Sequence, residues 1–196
     1  MKCRHCSKEI TFQLIDLGTA PPSNAYLTEA TINQPETWFP LIVMVCEKCW
    51  LVQVESSSRA ADLFNDEYAY FSSFSDAWLR HCEAYVEKMV QLLGLGDSSM
   101  VAEIASNDGY LLQFVRLKDI PCYGVEPTAS TAHAARERGI ETIEEFFGVE
   151  LANRLVKNGK AADLIAANNV LAHVPDINDF VRGFSILLKP DGIVTF

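Results

Sequence analysis

Val101-Ala102-Glu103-Ile104-Ala105-Ser106-Asn107-Asp108-Gly109-Tyr110-Leu111-Leu112 is the stretch that decides the fold. Val101 to Ala105 has the composition of a short buried strand, Ser106 to Gly109 of a tight polar turn, and the residues after it of a helix start. In an open α/β sheet, ligands bind at the carboxyl ends of the strands, where such turns cluster. Gly109 supplies the backbone freedom that a close approach needs, and Asn107 or Asp108 is placed to cap the helix that follows. The stretch resembles a dinucleotide fingerprint, yet Ala105 and Asn107 stand where glycines would be expected. A pyrophosphate wants those glycines and a bare helix N-terminus, and Asp108 would repel it. The turn therefore suits an uncharged or cationic ligand, against the plain reading of a strand–turn–helix with no ligand at all.

Downstream the chain alternates strand and helix. Strands are expected at Cys122 to Glu126, Ile140 to Ile143, Asp163 to Asn168 and Ile193 to Phe196, and helices at Thr128 to Arg138, Val149 to Lys157 and Asp179 to Leu188, with Thr128 as a cap, Gly139 as a stop and Lys189 to Gly192 as a turn. Such alternation implies a parallel sheet with right-handed crossovers. Upstream, Trp78, Leu79, Cys82, Tyr85, Val86, Met89, Val90 and Leu93 recur at helical spacing and mark one buried face. Ser75 is its candidate N-cap, and Gly94 and Gly96 end it. His81 beside that face and Cys82 within it read as packing residues. Phe196 falls in a strand that has barely begun, so the chain is expected to be a fragment of a longer protein.

Before these elements lie two knuckles, Cys3-Arg4-His5-Cys6 and Cys46-Glu47-Lys48-Cys49. Two C-x-x-C pairs aimed at one centre give the closed tetrahedral geometry of structural zinc. A rubredoxin-type iron would use the same sulfurs, and His5 is a weaker competing ligand. A region this small needs such a staple to hold it. Leu41 to Val45 and Leu51 to Val54 read as strands beside the second knuckle, whereas Leu17 to Leu27 is rich in turn residues. The polar stretch from Glu55 to Arg59 marks a boundary: a zinc-binding domain over 1–60 and a Rossmann-like domain over 61–196.

With 196 residues, 49% hydrophobic and 21% charged, the chain has the makings of a globular core in one domain or two small ones. A net charge of −10 with no Lys/Arg cluster argues against a nucleic-acid partner. The N-terminus has no apolar signal segment and no apolar run is long enough for a membrane span, so a cytoplasmic protein is expected.

Glu126 ends the strand expected beside Val101 to Ala105, where an acid receives the ribose hydroxyls in nucleotide-binding α/β proteins. A carboxylate accepts both hydrogen bonds of an unphosphorylated diol. Combined with Asp108 and the missing glycines, this favours an adenosyl ligand without phosphates and with a positive centre, and S-adenosylmethionine fits.

The chain also resembles the amino-terminal half of the nucleotide-sugar C-methyltransferases of antibiotic deoxysugar biosynthesis. The resemblance rests on the two C-x-x-C pairs, Leu17-Gly18 with Pro22-Ser23-Asn24-Ala25, Tyr70-Phe71-Ser72-Ser73-Phe74-Ser75, Glu103 to Gly109, Gly124-Val125-Glu126-Pro127, and Asn168-Asn169-Val170-Leu171-Ala172-His173-Val174, in order along nearly the whole chain. It implies a zinc-binding domain, a class I methyltransferase domain and a further C-terminal domain. Cys3, Cys6, Cys46 and Cys49 would then hold zinc. Glu103, Ala105, Asn107, Asp108 and Gly109 would line the S-adenosylmethionine pocket, Glu126 with Pro127 would hold the ribose, and Phe146 and Phe147 would flank the adenine. Asn168 and Asn169 would meet the methionine end, Tyr70 and Ser73 would close over the pocket, and His173 would lie near the reacting sugar. The implied reaction takes a proton from the carbon beside a keto group and sends the enolate to a sulfonium methyl. Two other readings compete: a zinc-containing binding module without catalysis, and a methyltransferase-like protein with another small-molecule acceptor. A nicotinamide dehydrogenase is disfavoured by the missing glycines.

Overall fold

The computed structural model describes residues 1–23, 26–55 and 70–196. The expected boundary at residue 60 and the Asn24-Ala25 pair lie outside them. The chain divides into two compact units, Met1–Ala69 with Pro175–Asn178, and Tyr70–Val174 with Asp179–Phe196.

The first unit holds a three-stranded antiparallel sheet in sequence order: β1 (Phe12–Ala20), β2 (Phe39–Val45) and β3 (Val52–Val54). β2 extends the expected run of Leu41 to Val45 at its start, and β3 falls one residue short of the expected Leu51 to Val54. β1 was not expected. Phe12, Leu14 and Leu17 alternate only partly with polar residues, and the strand is exposed along nearly its whole length. No single buried face imposes a clean period of two on it. The core here is small, built from Cys3, Ile10 and Cys46, with Met44 and Leu51 packed against them.

The second unit opens with a 3₁₀ turn (Ser72–Phe74) and α1 (Asp76–Leu93). α1 starts where expected, because the Ser75 hydroxyl accepts the Trp78 N–H at 3.2 Å, and it stops at Gly94 in the left-handed conformation (φ 62°). There follow β4 (Val101–Ile104), α2 (Leu112–Arg116), β5 (Cys122–Val125), α3 (Ala129–Glu137), β6 (Thr142–Ile143), α4 (Val149–Lys157), β7 (Ala162–Ala166), a 3₁₀ turn (Leu171–His173), α5 (Ile177–Leu187) and β8 (Leu188–Thr195).

The sheet order is β6-β5-β4-β7-β8, with every paired neighbour parallel. The chain runs outward from β4 through β5 and β6, then returns to β7 on the other side of β4. The strand order thus reverses between β4 and β7, and ligands of such Rossmann-like sheets sit beyond the carboxyl ends at that point. Alternation along the strands feeds two cores. Val101, Leu164 and Ala166 pack with Cys82, Val86 and Met89 of α1 and with Leu112 and Val115 of α2. Ala102, Ile104 and Ile165 face the other way, onto Leu151 and Leu155 of α4 and Phe180 and Phe184 of α5. Each fully buried Leu or Ile contributes about 1.5–3 kcal/mol over its exposed state.

Three local expectations are corrected. Asn107 and Asp108 do not cap α2, which begins only at Leu112 without a side-chain cap; their side chains are engaged elsewhere, as described below. Thr128 does not cap α3 with its hydroxyl; its backbone N–H goes to Glu126 instead. Lys189 to Gly192 is not a free turn but part of β8, whose register against β7 shifts between Ala162 and Leu164. Pro190 cannot donate to the ladder, which accounts for an irregular strand rather than a clean one. Among the described residues, no helix is long and apolar enough to cross a membrane.

Candidate functional site

The two knuckles are built alike. Cys3 O accepts the Ser7 N–H and Cys46 O accepts the Trp50 N–H, at 3.0 and 2.8 Å. Each knuckle ends on a residue in the left-handed region, Ser7 at φ 59° and Trp50 at φ 63°. These tight loops bring all four Sγ atoms within 4.8 Å of one another, with Cys3–Cys49 at 3.5 Å and Cys6–Cys46 at 3.6 Å. Four thiolates around a tetrahedral zinc at about 2.3 Å would stand about 3.8 Å apart, so the cluster fits the ion. Backbone N–H groups also favour thiolates here. The Cys46 thiol is held below its usual range by the Cys49 N–H, against the effect of burial. Gln53, overlooked in the sequence, is buried and supports the cluster: its Nε2 donates to Cys3 Sγ at 3.4 Å while its Oε1 accepts the Arg4 N–H. Partners of this kind fix a ligand's orientation.

At the carboxyl end of β4 the backbone does what glycines would have done. Ala105, Asn107 and Gly109 all have positive φ, at 59°, 49° and 77°. Two non-glycine residues of the turn thus take left-handed backbone, at a cost of about 1–2 kcal/mol for Ala105. Gly109 itself is required twice. Besides its φ, a Cβ there would lie 2.4 Å from Ile140 Cδ1, so its open side is filled by the core beneath the turn.

Three carboxylates surround this turn, all buried: Glu103 and Asp108 with no exposure, Glu126 at 5%. Their surroundings differ. Glu126 accepts the Asn107 N–H on Oε2 and the Thr128 N–H on Oε1, both at 2.9 Å, and the Thr128 and Thr131 hydroxyls beside it also favour its charged form. Burial pushes its carboxyl upward, against the pull of those N–H groups. Asp108 is neutralised: its Oδ2 faces Arg138 Nη1 at 3.0 Å and accepts the Ser73 hydroxyl. Glu103 has the Tyr110 hydroxyl beside it, but among the described residues neither of its buried oxygens makes a hydrogen bond of ordinary geometry. Burial drives its carboxyl well above the usual range, the neighbouring Tyr110 hydroxyl opposes this, and the charges of Glu126 and Asp108 add to it.

The remaining expected residues divide between this end of the sheet and its surroundings. Asn168 follows β7 and donates through Nδ2 to the Tyr110 hydroxyl at 3.3 Å; Asn169 is exposed beside it at φ 52°. Pro127 follows Glu126 at the end of β5 and is partly buried. His173 is exposed on the 3₁₀ turn beyond β7. Tyr70 is half exposed, and its carbonyl accepts from Asn107 Nδ2 at 3.1 Å. Phe146 is half exposed, but the Phe147 ring packs 5.5 Å from Phe180 and 5.0 Å from Phe184. Phe147 thus serves the core beside α5, a placement that its sequence pairing with Phe146 conceals. Arg138 and Tyr110 were missed: one read as a helix terminus, the other as an apolar helix start. A concavity of 350 Å³ lined by Arg116, Asp119, Cys122 and Glu141 opens at the amino-terminal edge of β5, away from all these residues.

The chain matches a family model described as "Putative zinc binding domain" over residues 3–64 and one described as "Methyltransferase domain" over residues 102–194. It is 32% identical over 192 residues to the C-methyltransferase NovU of Streptomyces niveus, covering 98% of this chain and 46% of that protein. The chain thus spans about half the length of this curated relative. Similar solved structures include an S-adenosylmethionine-dependent methyltransferase of Thiobacillus denitrificans in complex with S-adenosyl-L-homocysteine, with 15% identity, a TM-score of 0.45 and coverage of 64% of this chain and 49% of that one. Another is DesVI of Streptomyces venezuelae, with 16% identity, a TM-score of 0.46 and coverage of 58% and 49%. The match to a zinc-binding model thus lies ahead of the match to a methyltransferase model, in a chain that aligns along nearly every residue with part of a C-methyltransferase.

Proposed function

We propose that this chain binds S-adenosylmethionine at the carboxyl ends of β4, β5 and β7, and forms the cofactor-binding part of a C-methyltransferase acting on a nucleotide-linked keto-deoxysugar. The observation that carries the reading is Glu103, a carboxyl group with no exposure and, among the described residues, no well-formed hydrogen bond on either oxygen. A protein that only needed a stable sheet would gain by replacing it, because an unpaired buried acid costs stability. A cationic ligand beside it would offset that cost. The C-methyltransferase relative supports the reaction class, and its coverage leaves the acceptor a matter of proposal.

In this reading Glu126 holds the ribose diol, with Pro127 fixing the strand's exit. Glu103 faces the positive end of the ligand, and Asn168 and Asn169 present amides to its amino-acid group. Ala105, Asn107 and Gly109 shape the turn that the adenosyl group lies against, while Asp108 holds that turn rather than the ligand. Phe146 is the ring left free to cover the adenine. S-adenosylmethionine supplies an electrophilic methyl group when bound. On the acceptor side, His173 donates a hydrogen bond to the developing enolate oxygen or carries away the proton of the carbon acid, and Tyr70 closes over the site. The two domains proposed for this work are 1–60 for zinc and 61–196 for the cofactor, in a cytoplasmic protein. The remaining acceptor contacts are proposed to come from a further domain.

Calorimetric titration with S-adenosylmethionine tests the reading. Saturable binding is expected, weakened about 10- to 100-fold in Glu126→Ala, the loss of hydrogen bonds to a charged group. Absence of binding at millimolar ligand, or unchanged affinity in the variant, contradicts the assignment.

A further inference from the structure

The segment between Tyr70 and Ser75 is fastened to the β4 turn at two points, and Arg138 is common to one of them. First, the Asn107 side chain bridges its backbone: Oδ1 accepts the buried Ser72 N–H at 2.8 Å and Nδ2 donates to Tyr70 O at 3.1 Å. Second, Ser73 Oγ donates to Asp108 Oδ2. Arg138, one residue beyond α3, closes that second point. Its Nη1 lies 3.0 Å from Asp108 Oδ2 and also donates to Asp108 O, while Nη2 donates to Ser73 Oγ at 2.9 Å. One planar guanidinium therefore ties together a turn backbone, a buried carboxylate and a hydroxyl on another segment. A point-charge ammonium cannot reproduce that fork.

We infer that Arg138 is a positioning residue: it clasps the Tyr70–Ser75 segment onto the β4 turn and so holds one wall of the ligand site in place. Asp108 has no exposure, whereas Arg138 is 38% exposed, so the clasp is anchored from inside and its outer half faces water. The wall carries Tyr70 and Phe74, both exposed, beside the residues that hold the turn. Without the fork, Ser73 loses one of its two polar partners, and the wall rests on the Asn107 bridge and a Ser73–Asp108 hydrogen bond that nothing backs from outside. The effect on ligand affinity rests on the S-adenosylmethionine reading above; the clasping itself does not.

Two readouts test this separately. Hydrogen exchange at the Ser72 amide reports the clasp, and calorimetry with S-adenosylmethionine reports its consequence. Arg138→Gln alone strands the buried Asp108 carboxylate, so it is paired with the double variant Asp108→Asn/Arg138→Gln, which removes the charge as well, and with Arg138→Lys. In both Gln variants Ser72 exchange is expected to accelerate at least tenfold and affinity to fall at least tenfold. Arg138→Lys is expected to restore the melting temperature, because it restores the charge pair, while recovering only part of the Ser72 protection and of the affinity. Unchanged Ser72 protection in the folded double variant overturns the clasp. Full recovery of protection by Lys overturns the role of the fork and leaves a simple ion pair. Failure of the unaltered chain to bind S-adenosylmethionine overturns the cofactor reading and the affinity half of this inference, while Ser72 exchange still decides the clasp.

Discussion

The cysteine cluster and the acidic turn solve the same local problem and then diverge. Both concentrate acidic groups in tight loops, and both place non-glycine residues on left-handed backbone: Ser7 and Trp50 at the knuckles, Ala105, Asn107 and Asn169 around the turn, all at positive φ. The difference lies in what stands behind the loops. The knuckles rest on a core of Cys3, Ile10 and Cys46, under a sheet whose first strand exposes Phe12, Leu14, Ile15 and Leu17. The acidic turn rests on a five-stranded sheet with a core on each face. An ion at the first site is thus part of folding, whereas a ligand at the second finds a site already formed. On the proposed reading, function and stability coincide in the first unit and compete in the second, most directly at Glu103.

Metal removal should break the comparison most visibly. Structural zinc sites contribute on the order of 10–16 kcal/mol in small domains, more than a core of this size supplies. Chelation, or Cys46→Ser, is expected to abolish the ordered signal of the first unit in thermal unfolding followed by circular dichroism. The transition of the α/β unit should stay where it was. An unchanged melting profile after verified metal removal would show that the cysteines are not a staple.

A smaller effect, in the other unit, is expected from Gly109→Ala. The substitution meets a φ of 77° and places a Cβ 2.4 Å from Ile140 Cδ1. Strain and overpacking together should cost about 2–4 kcal/mol, read in chemical denaturation. A loss below about 0.5 kcal/mol would mean that the turn relaxes freely, unlike the frame proposed for it.

Glu103→Gln sharpens the contrast further, through pH. The folded chain holds Glu103 with its carboxyl raised, so its stabilising protonated form is complete below the ordinary Glu range. Stability is lost as pH climbs from that range through the raised folded value, because the folded chain binds the proton more tightly than the unfolded one. The Gln variant lacks this loss. Its melting temperature should gain a few degrees on the unaltered chain as the pH moves from about 5 to about 8. Parallel pH profiles would place the burial cost elsewhere. Ala105→Gly is expected to do least, adding up to about 1 kcal/mol by relieving a left-handed alanine; destabilisation beyond the entropy cost of glycine would show that the Ala105 side chain is needed.

Much of this architecture is legible in the sequence because its signals are local. The C-x-x-C spacing, the apolar face of α1 between Ser75 and Gly94, and the strand–turn of Val101 to Gly109 each depend on residues close in the chain. What stays hidden depends on neighbours far away in the chain. Arg138 looks like the end of a helix until Asp108 and Ser73 are seen beside it. Gln53 looks like one polar residue of an alternating strand, and Phe147 like the twin of Phe146. β1 hides for a different reason: with both faces exposed, no pattern of burial is written into it. The acidity of Asp108, taken from sequence as a preference for a cation, is spent on Arg138, so that preference falls to Glu103.

Thermal unfolding of the unaltered chain and of Glu103→Gln, each with and without S-adenosylmethionine near pH 8, tests this most directly. The account predicts that the variant melts above the unaltered chain when both are free of ligand, and that the ligand raises the unaltered chain but not the variant. A variant that melts lower without ligand, or that the ligand raises as far as the unaltered chain, would contradict the claim that Glu103 is kept at the expense of stability in order to hold a cation.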